Sequence, residues 1–109
     1  MTRVMLVCTT GISAAILVKR MGEEAARQKL DVEVTAVPAA RLAAGAAACD
    51  VLLLGPQIRY LLEKAKAAAG AKPLAVIDKG DYGMMRGDRV LALALKLLAE
   101  NNGDSGKQP

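Results

Sequence analysis

The sequence predicts an α/β fold: a single-domain, three-layer sandwich in which a four-stranded parallel sheet is flanked by helices on both faces. Three observations predict it. Short apolar, β-prone runs alternate along the chain with longer segments of helical spacing, and that alternation requires parallel strands joined by helical crossovers. A length of 109 residues allows one core and no second. A composition 53% hydrophobic and 24% charged buries enough apolar surface to fold without disulfides or metal.

The run Arg3-Val4-Met5-Leu6-Val7 supplies the first strand. After Cys8 and a short polar loop, Ile12, Ile16, Leu17, Met21 and Ala25 recur at helical spacing over 12–28, opposite Lys19, Arg20, Glu23, Glu24 and Arg27. Val32-Glu33-Val34-Thr35-Ala36 alternates, which predicts an edge strand with one wet face, ended by Pro38. The alanine-rich stretch 38–48 predicts a short helix interrupted by Gly45. Val51-Leu52-Leu53-Leu54 is apolar throughout and predicts a strand buried on both faces, with Pro56 in the first turn of a helix over 57–69. Gly70 stops that helix, and Leu74-Ala75-Val76-Ile77 is the fourth strand. Asp78-Lys79-Gly80-Asp81-Tyr82-Gly83 reads as a glycine-punctuated loop before a last helix from 87 or 88 to 100. The domain is expected over 1–101, with 102–109 as a disordered tail.

Composition also excludes functions. Two tyrosines with no Phe or Trp leave no aromatic platform for stacking bases, which argues against nucleic acid. The net charge of +4 is spread along the chain among acids, as on an ordinary mixed surface. No apolar run approaches the roughly 20 residues of a membrane span, and the N-terminus lacks the apolar segment of a signal peptide. A cytosolic chain that does not itself span the membrane is therefore expected. Cys8 and Cys49 should then be reduced, each a small buried hydrophobe or a working thiol. Histidine is absent, so a zinc site, a Cys-His pair and a phosphohistidine are all excluded within this chain. No metal and no resident cofactor is expected.

Right-handed crossovers bring the loops after all the strands to one edge of the sheet, where ligand chemistry sits in such folds. Cys8, the Gly55-Pro56-Gln57 turn and the segment 78–83 should share that rim. A cysteine that ends a strand just before a helix meets free amides and a positive helix end, which favour both an anion and a thiolate. The main-chain donors of Thr9, Thr10, Gly11, Ile12, Ser13 and Ala14, with the hydroxyls of Thr9, Thr10 and Ser13, would then hold the oxygens of a phosphoryl group on sulfur. On these residues alone, a buried strand-end cysteine followed by a helix cap at Thr10 or Ser13 explains the pattern equally well.

Three segments tip the balance: Cys8-Thr9-Thr10-Gly11-Ile12-Ser13, Gly55-Pro56-Gln57-Ile58-Arg59-Tyr60 and Tyr82-Gly83-Met84-Met85-Arg86-Gly87. In order and spacing they resemble the IIB component of the lactose/cellobiose (chitobiose) family of the bacterial phosphoenolpyruvate-dependent sugar phosphotransferase system (PTS), over nearly the full chain. The family often has Ser or Ala where this chain has Thr9 or Thr10. The resemblance implies a phosphate loop after strand 1, as in low-molecular-weight tyrosine phosphatases, with Cys8 as phosphocysteine. It implies a phosphotransferase that takes its phosphoryl group from a phosphohistidine on a IIA protein and passes it to a sugar of the cellobiose, chitobiose or lactose class on a IIC membrane transporter. The covalent phosphoryl group on Cys8 would be the one attached group, and IIC would hold the cytoplasmic chain at the membrane. Gln57, Arg59 and Tyr82 are candidates for contact with partner or phosphate at the rim; each also has an ordinary account as a helix-start or surface residue.

Two other classes compete. Low-molecular-weight phosphatases and arsenate reductases share the strand-Cys-loop-helix arrangement but carry an arginine six residues after the cysteine, where this chain has Ala14. The cation that stabilises the transition state for hydrolysis is thus missing. Receiver-like regulators place an aspartate at the end of the third strand, where this chain has Leu54-Gly55-Pro56. The remaining alternative is a regulatory IIB-like module that docks without transferring phosphate.

Overall fold

The structure, a computed structural model, describes residues 2–9 and 12–107, without the side chains at 12, 13 and 101–107. Four strands, β1 (Thr2–Cys8), β2 (Val32–Pro38), β3 (Val51–Leu54) and β4 (Leu74–Val76), form one sheet in the order β2-β1-β3-β4. All the pairings are parallel, with Val7 beside Val37 and Leu54, and Leu54 beside Val76. The predicted sheet is therefore present. Between the strands run α1 (Ile12–Arg27), α2 (Leu42–Ala47) and α3 (Leu62–Ala69), and after them α4 (Lys79–Gly83) and α5 (Gly87–Lys107).

Side-chain alternation divides the core between the two faces. Val4, Leu6 and Cys8 of β1 join Val51 and Leu53 of β3 in the cluster under α1 and α5, which adds Leu17, Met21, Val90 and Leu91. Met5 and Val7 join Leu52 and Leu54 in the cluster under α2 and α3. Every residue of β3 is buried, as its unbroken apolar run predicts. Each such Leu or Val contributes about 1.5–3 kcal/mol by leaving water. In β2, Glu33 and Thr35 are exposed, the wet face of an edge strand.

α1 buries Ala14, Leu17, Met21 and Ala25, one stripe at helical spacing. It closes with Lys29 at φ 59°, the Leu30 amide donating to Ala25 O at 2.8 Å and the Lys29 amide to Ala26 O at 3.1 Å. That is a Schellman stop made without glycine.

Four expectations need correction. Gly45 does not interrupt the short helix; it lies inside α2, where a Cβ would come within 3.0 Å of Val37 Cγ2 and 3.3 Å of Met5 Cγ, so its smallness lets α2 sit on the sheet. The helix expected over 57–69 is two pieces, a 3-10 stretch Pro56–Leu61 bent at Ile58 (φ −116°, ψ 27°) and then α3, because burying Ile58 turns the chain. The expected loop at 78–83 contains α4, whose first amides are capped: the Asp78 carboxylate accepts from Gly80 N at 2.9 Å and Asp81 N at 3.1 Å. The backbone of α5 continues past Glu100 to Lys107, since no proline interrupts it there. Gln108, Pro109 and the side chains from 101 onward, on which the expected tail falls, lie outside the described residues.

Candidate functional site

Parallel strands put the ends of all four at one edge, and the register fixes who meets whom there. Cys8, the last residue of β1, lies between Pro38 at the end of β2 and the turn after β3. The Gly55 amide donates to Val7 O at 2.8 Å and the Ile77 amide to Leu54 O at 2.8 Å, which locks the edge together. Thr9 is exposed. Thr10 and Gly11 fall outside the described residues. α1 begins at Ile12, so Ile12, Ser13 and Ala14 form its first turn, whose amides have no acceptor within a helix. Ala14 is fully buried.

The Cys8 side chain itself departs from expectation. The working-thiol reading places the sulfur where the free amides and helix end point into solvent; instead the residue is 1% exposed and belongs to the cluster with Leu6, Ala14, Ile77 and Tyr82. The alternation that turns Val4 and Leu6 inward also turns Cys8 inward, onto the α1/α5 face.

Beside it, three groups converge on Gly55. A Cβ there would lie 2.8 Å from Gln57 Oε1, 3.4 Å from Val7 O and 3.6 Å from Tyr82 Cε2. Glycine is thus what allows the Gln57 carboxamide to fold back beside the end of β1. Tyr82 is 4% exposed, so its ring supports the rim from beneath and does not stand on the surface. Gln57 and Arg59 are exposed, and with Asp78, Lys79 and Tyr82 they line an open cleft of about 740 Å³ over the ends of β3 and β4. The three predicted rim residues therefore meet in one cleft, one to two strands from Cys8, about 5–10 Å at ordinary strand spacing.

Sequence reasoning missed Arg41 and Lys79, which are also exposed at this edge. The available signal was the first basic residue after each of strands two, three and four: Arg41, Arg59 and Lys79. Cys49 lies at the opposite end of the sheet, before β3. It is buried, its thiol donates to Ala46 O at 3.6 Å, and burial pushes its pKa above the ordinary thiol value, the dress of a packed spectator. Among the described residues no His/Cys/Asp/Glu group could hold a metal, and no helix is long and apolar enough to cross a membrane.

Known proteins share this arrangement. The family described as "PTS system, Lactose/Cellobiose specific IIB subunit" matches residues 3–93. A galactose-specific EIIB component of Lactococcus lactis subsp. cremoris is 40% identical over 100 residues, spanning 85% of this chain and 93% of the relative. A cellobiose-specific EIIB component of Lactococcus lactis subsp. lactis matches to the same extent, 40% over 100 residues with the same coverage. The solution structure of a cellobiose-specific phosphotransferase IIB component from Borrelia burgdorferi superposes with a TM-score of 0.76 at 29% identity, covering 92% of this chain and 94% of that one. Fold and sequence thus agree, and the chain belongs to the lactose/cellobiose-specific IIB subunits of the sugar phosphotransferase system.

Proposed function

We propose that this IIB subunit carries a phosphoryl group on Cys8, taking it from a phosphohistidine of a IIA protein and giving it to a sugar of the cellobiose/lactose class held by a IIC membrane transporter. The observation that carries this reading is the position of Cys8: last residue of β1, on the carboxyl edge of the sheet, four residues ahead of the first residue of α1. In the first step the Cys8 thiolate attacks phosphorus in line with the imidazole, the S–P bond forms, the N–P bond breaks, and the imidazole keeps the electron pair. In the second, the sugar hydroxyl attacks phosphorus, the O–P bond forms, sulfur leaves as thiolate, and the hydroxyl proton passes to solvent or to the transporter. The first turn of α1 supplies amides and a positive dipole for the phosphoryl oxygens. No metal or resident cofactor is needed.

Two features support storage over hydrolysis. Ala14, fully buried, stands where hydrolases of this architecture place their arginine, so the group that would stabilise attack by water is missing. The burial of Cys8 limits the access of water, and it requires the docked donor to displace what covers the sulfur. Relatives are named for galactose and for cellobiose, and the sugar class proposed here spans both.

The test is transfer of labelled phosphate from a phosphorylated IIA protein of this family. Wild type and Cys49→Ser should take up one phosphoryl group, and Cys8→Ser and Cys8→Ala none. A labile adduct on Cys8→Ser, or none on wild type, would overturn the assignment. Steady release of inorganic phosphate from an aryl phosphate by wild type would instead favour a hydrolase.

A further inference from the structure

Gln57 comes nearer to the Cys8 side chain than its place two residues into the turn after β3 implies. The pairing of Val7 with Leu54 puts Cys8 and Gly55 side by side at the next step along the two strands. The Gly55 amide, donating to Val7 O at 2.8 Å, holds them there. Gly55 keeps an extended backbone (φ −62°, ψ 147°), so the alternation of β3 runs on through it. Leu53 faces α1 and α5, and Leu54 faces α2 and α3. Position 55 therefore faces α1 and α5, as Cys8 does. A side chain at 55 would stand beside that of Cys8, about 5 Å away at ordinary strand spacing. Glycine leaves that place empty and Gln57 takes it: Oε1 lies 2.8 Å from the point a Cβ would occupy, and Tyr82 Cε2, of the same cluster as Cys8, lies 3.6 Å from it.

Nothing on the protein accounts for the fold-back. Gln57 is exposed, and its carboxamide makes no hydrogen bond among the described residues. Nor does it cap a helix, since no side chain caps the 3-10 stretch Pro56–Leu61. The amide thus brings two N–H donors beside Cys8 with no protein acceptor for them.

We infer that the Gln57 carboxamide is a side-chain ligand of the phosphoryl group on Cys8, donating Nε2–H to one of its oxygens from the β3 side while the first turn of α1 donates main-chain amides. The inference rests on the phosphoryl-acceptor reading of Cys8. The residue type suits a carrier. A carboxamide offers donors without a full charge, so it orients the dianion without the pull that arginine exerts on a developing transition state for hydrolysis. Gly55 is the partner of this arrangement, because any larger residue there would fill the seat of the amide.

The test follows labelled phosphate from a phosphorylated IIA protein of this family into wild type, Gln57→Ala, Gln57→Glu and Gly55→Ala, with phosphorus NMR titration of each product. Gln57→Ala should lower kcat about tenfold or more and leave KM within about twofold, because the hydrogen bond forms only as the group arrives. Losing a donor to the dianion should also raise the second pKa of the phosphocysteine by about one unit. Gln57→Glu sets a like charge beside the dianion and should move both readings further the same way. Gly55→Ala, whose methyl displaces the carboxamide, should resemble Gln57→Ala and add little when combined with it. The urea midpoint of Gln57→Ala should stay that of wild type, since the side chain is exposed. A raised KM with unchanged kcat and titration would place Gln57 against the donor protein and overturn the inference. Equal slowing by Gly55→Ala with and without Gln57 would overturn the seat assigned to the amide. Label on wild type with an unmoved rate and titration in Gln57→Ala would sink this inference alone; no label on wild type would sink the Cys8 reading as well.

Discussion

A methyl group is the smallest side chain the ribosome can add, and at Gly87 there is no room for it. A Cβ would sit 2.7 Å from both the Arg20 carbonyl carbon and its Cβ, and 2.8 Å from the Met21 amide, so the start of α5 lies directly against the backbone of α1. Arg20 ties the same place down, its Nη1 donating to Met85 O at 3.2 Å. Gly87→Ala must push the two helices apart and should cost about 2–3 kcal/mol, in the range of overpacked cores. Gly22, inside α1, has nothing within 4 Å of its missing Cβ. Gly22→Ala should therefore stabilise by about 0.5–1 kcal/mol through helix propensity. Urea unfolding of both variants checks the pair; two changes of the same sign would refute this account of the α1–α5 contact. The sequence presents both as glycines in or beside helical stretches, and only the packing tells them apart. The direction of Cys8 was legible in principle, since it continues the alternation of Val4 and Leu6, but the motif drew attention to its place on the rim and away from its parity.

Among the elements, α4 shows how a short helix hides inside loop chemistry. Gly80 and Gly83 signal a break, yet Asp78 two and three residues ahead of the amides it accepts is a cap. The glycines won the argument from sequence because a five-residue helix has too few positions to show a period. α4 carries Lys79 and the supporting ring of Tyr82, so its cap bears on the rim. Asp78→Ala should lower stability by about 1 kcal/mol and raise the KM for a phosphorylated IIA protein, while Asp78→Asn, itself a good cap, should restore both. If the asparagine variant behaves as the alanine variant does, the negative charge and not the cap is what Asp78 supplies. Elements with an unbroken pattern were readable whatever their length. The stripe of α1 and the unbroken apolar run of β3 each repeat one rule often enough to override local exceptions.

For the whole molecule, the parallel order of the strands carries the fold to the site: once strands and helices alternate, every strand end arrives at one edge, and the three motifs meet without any contact being specified between them. What the alternation does not encode is how the flanking helices pack, which Gly87 against the Arg20 backbone decides; beside that contact each helix keeps an ion pair of its own, Arg27 with Glu24 on α1 and Arg86 with Asp88 at the start of α5. Glu24 accepts from Arg27 and Gln28, and those hydrogen bonds hold its carboxyl below the usual carboxylate range. Asp88 is lowered chiefly by the hydrogen bond from Arg86. The Asp88 charge acts the other way on Glu24 and raises its pKa, the smallest of the influences on it. A carboxylate whose pKa is lower folded than unfolded contributes stability that is present above its unfolded value and lost as pH falls through the folded one. The protein should therefore lose stability from about pH 5 downward. Glu24→Gln/Asp88→Asn should lose less, so the urea midpoints of the two proteins, apart at pH 7, should draw together toward pH 3. Added salt should shrink the gap at pH 7, chiefly through Asp88, whose side chain is 50% exposed and screened by solvent. Parallel pH curves for the two proteins would mean that acid acts elsewhere in the chain.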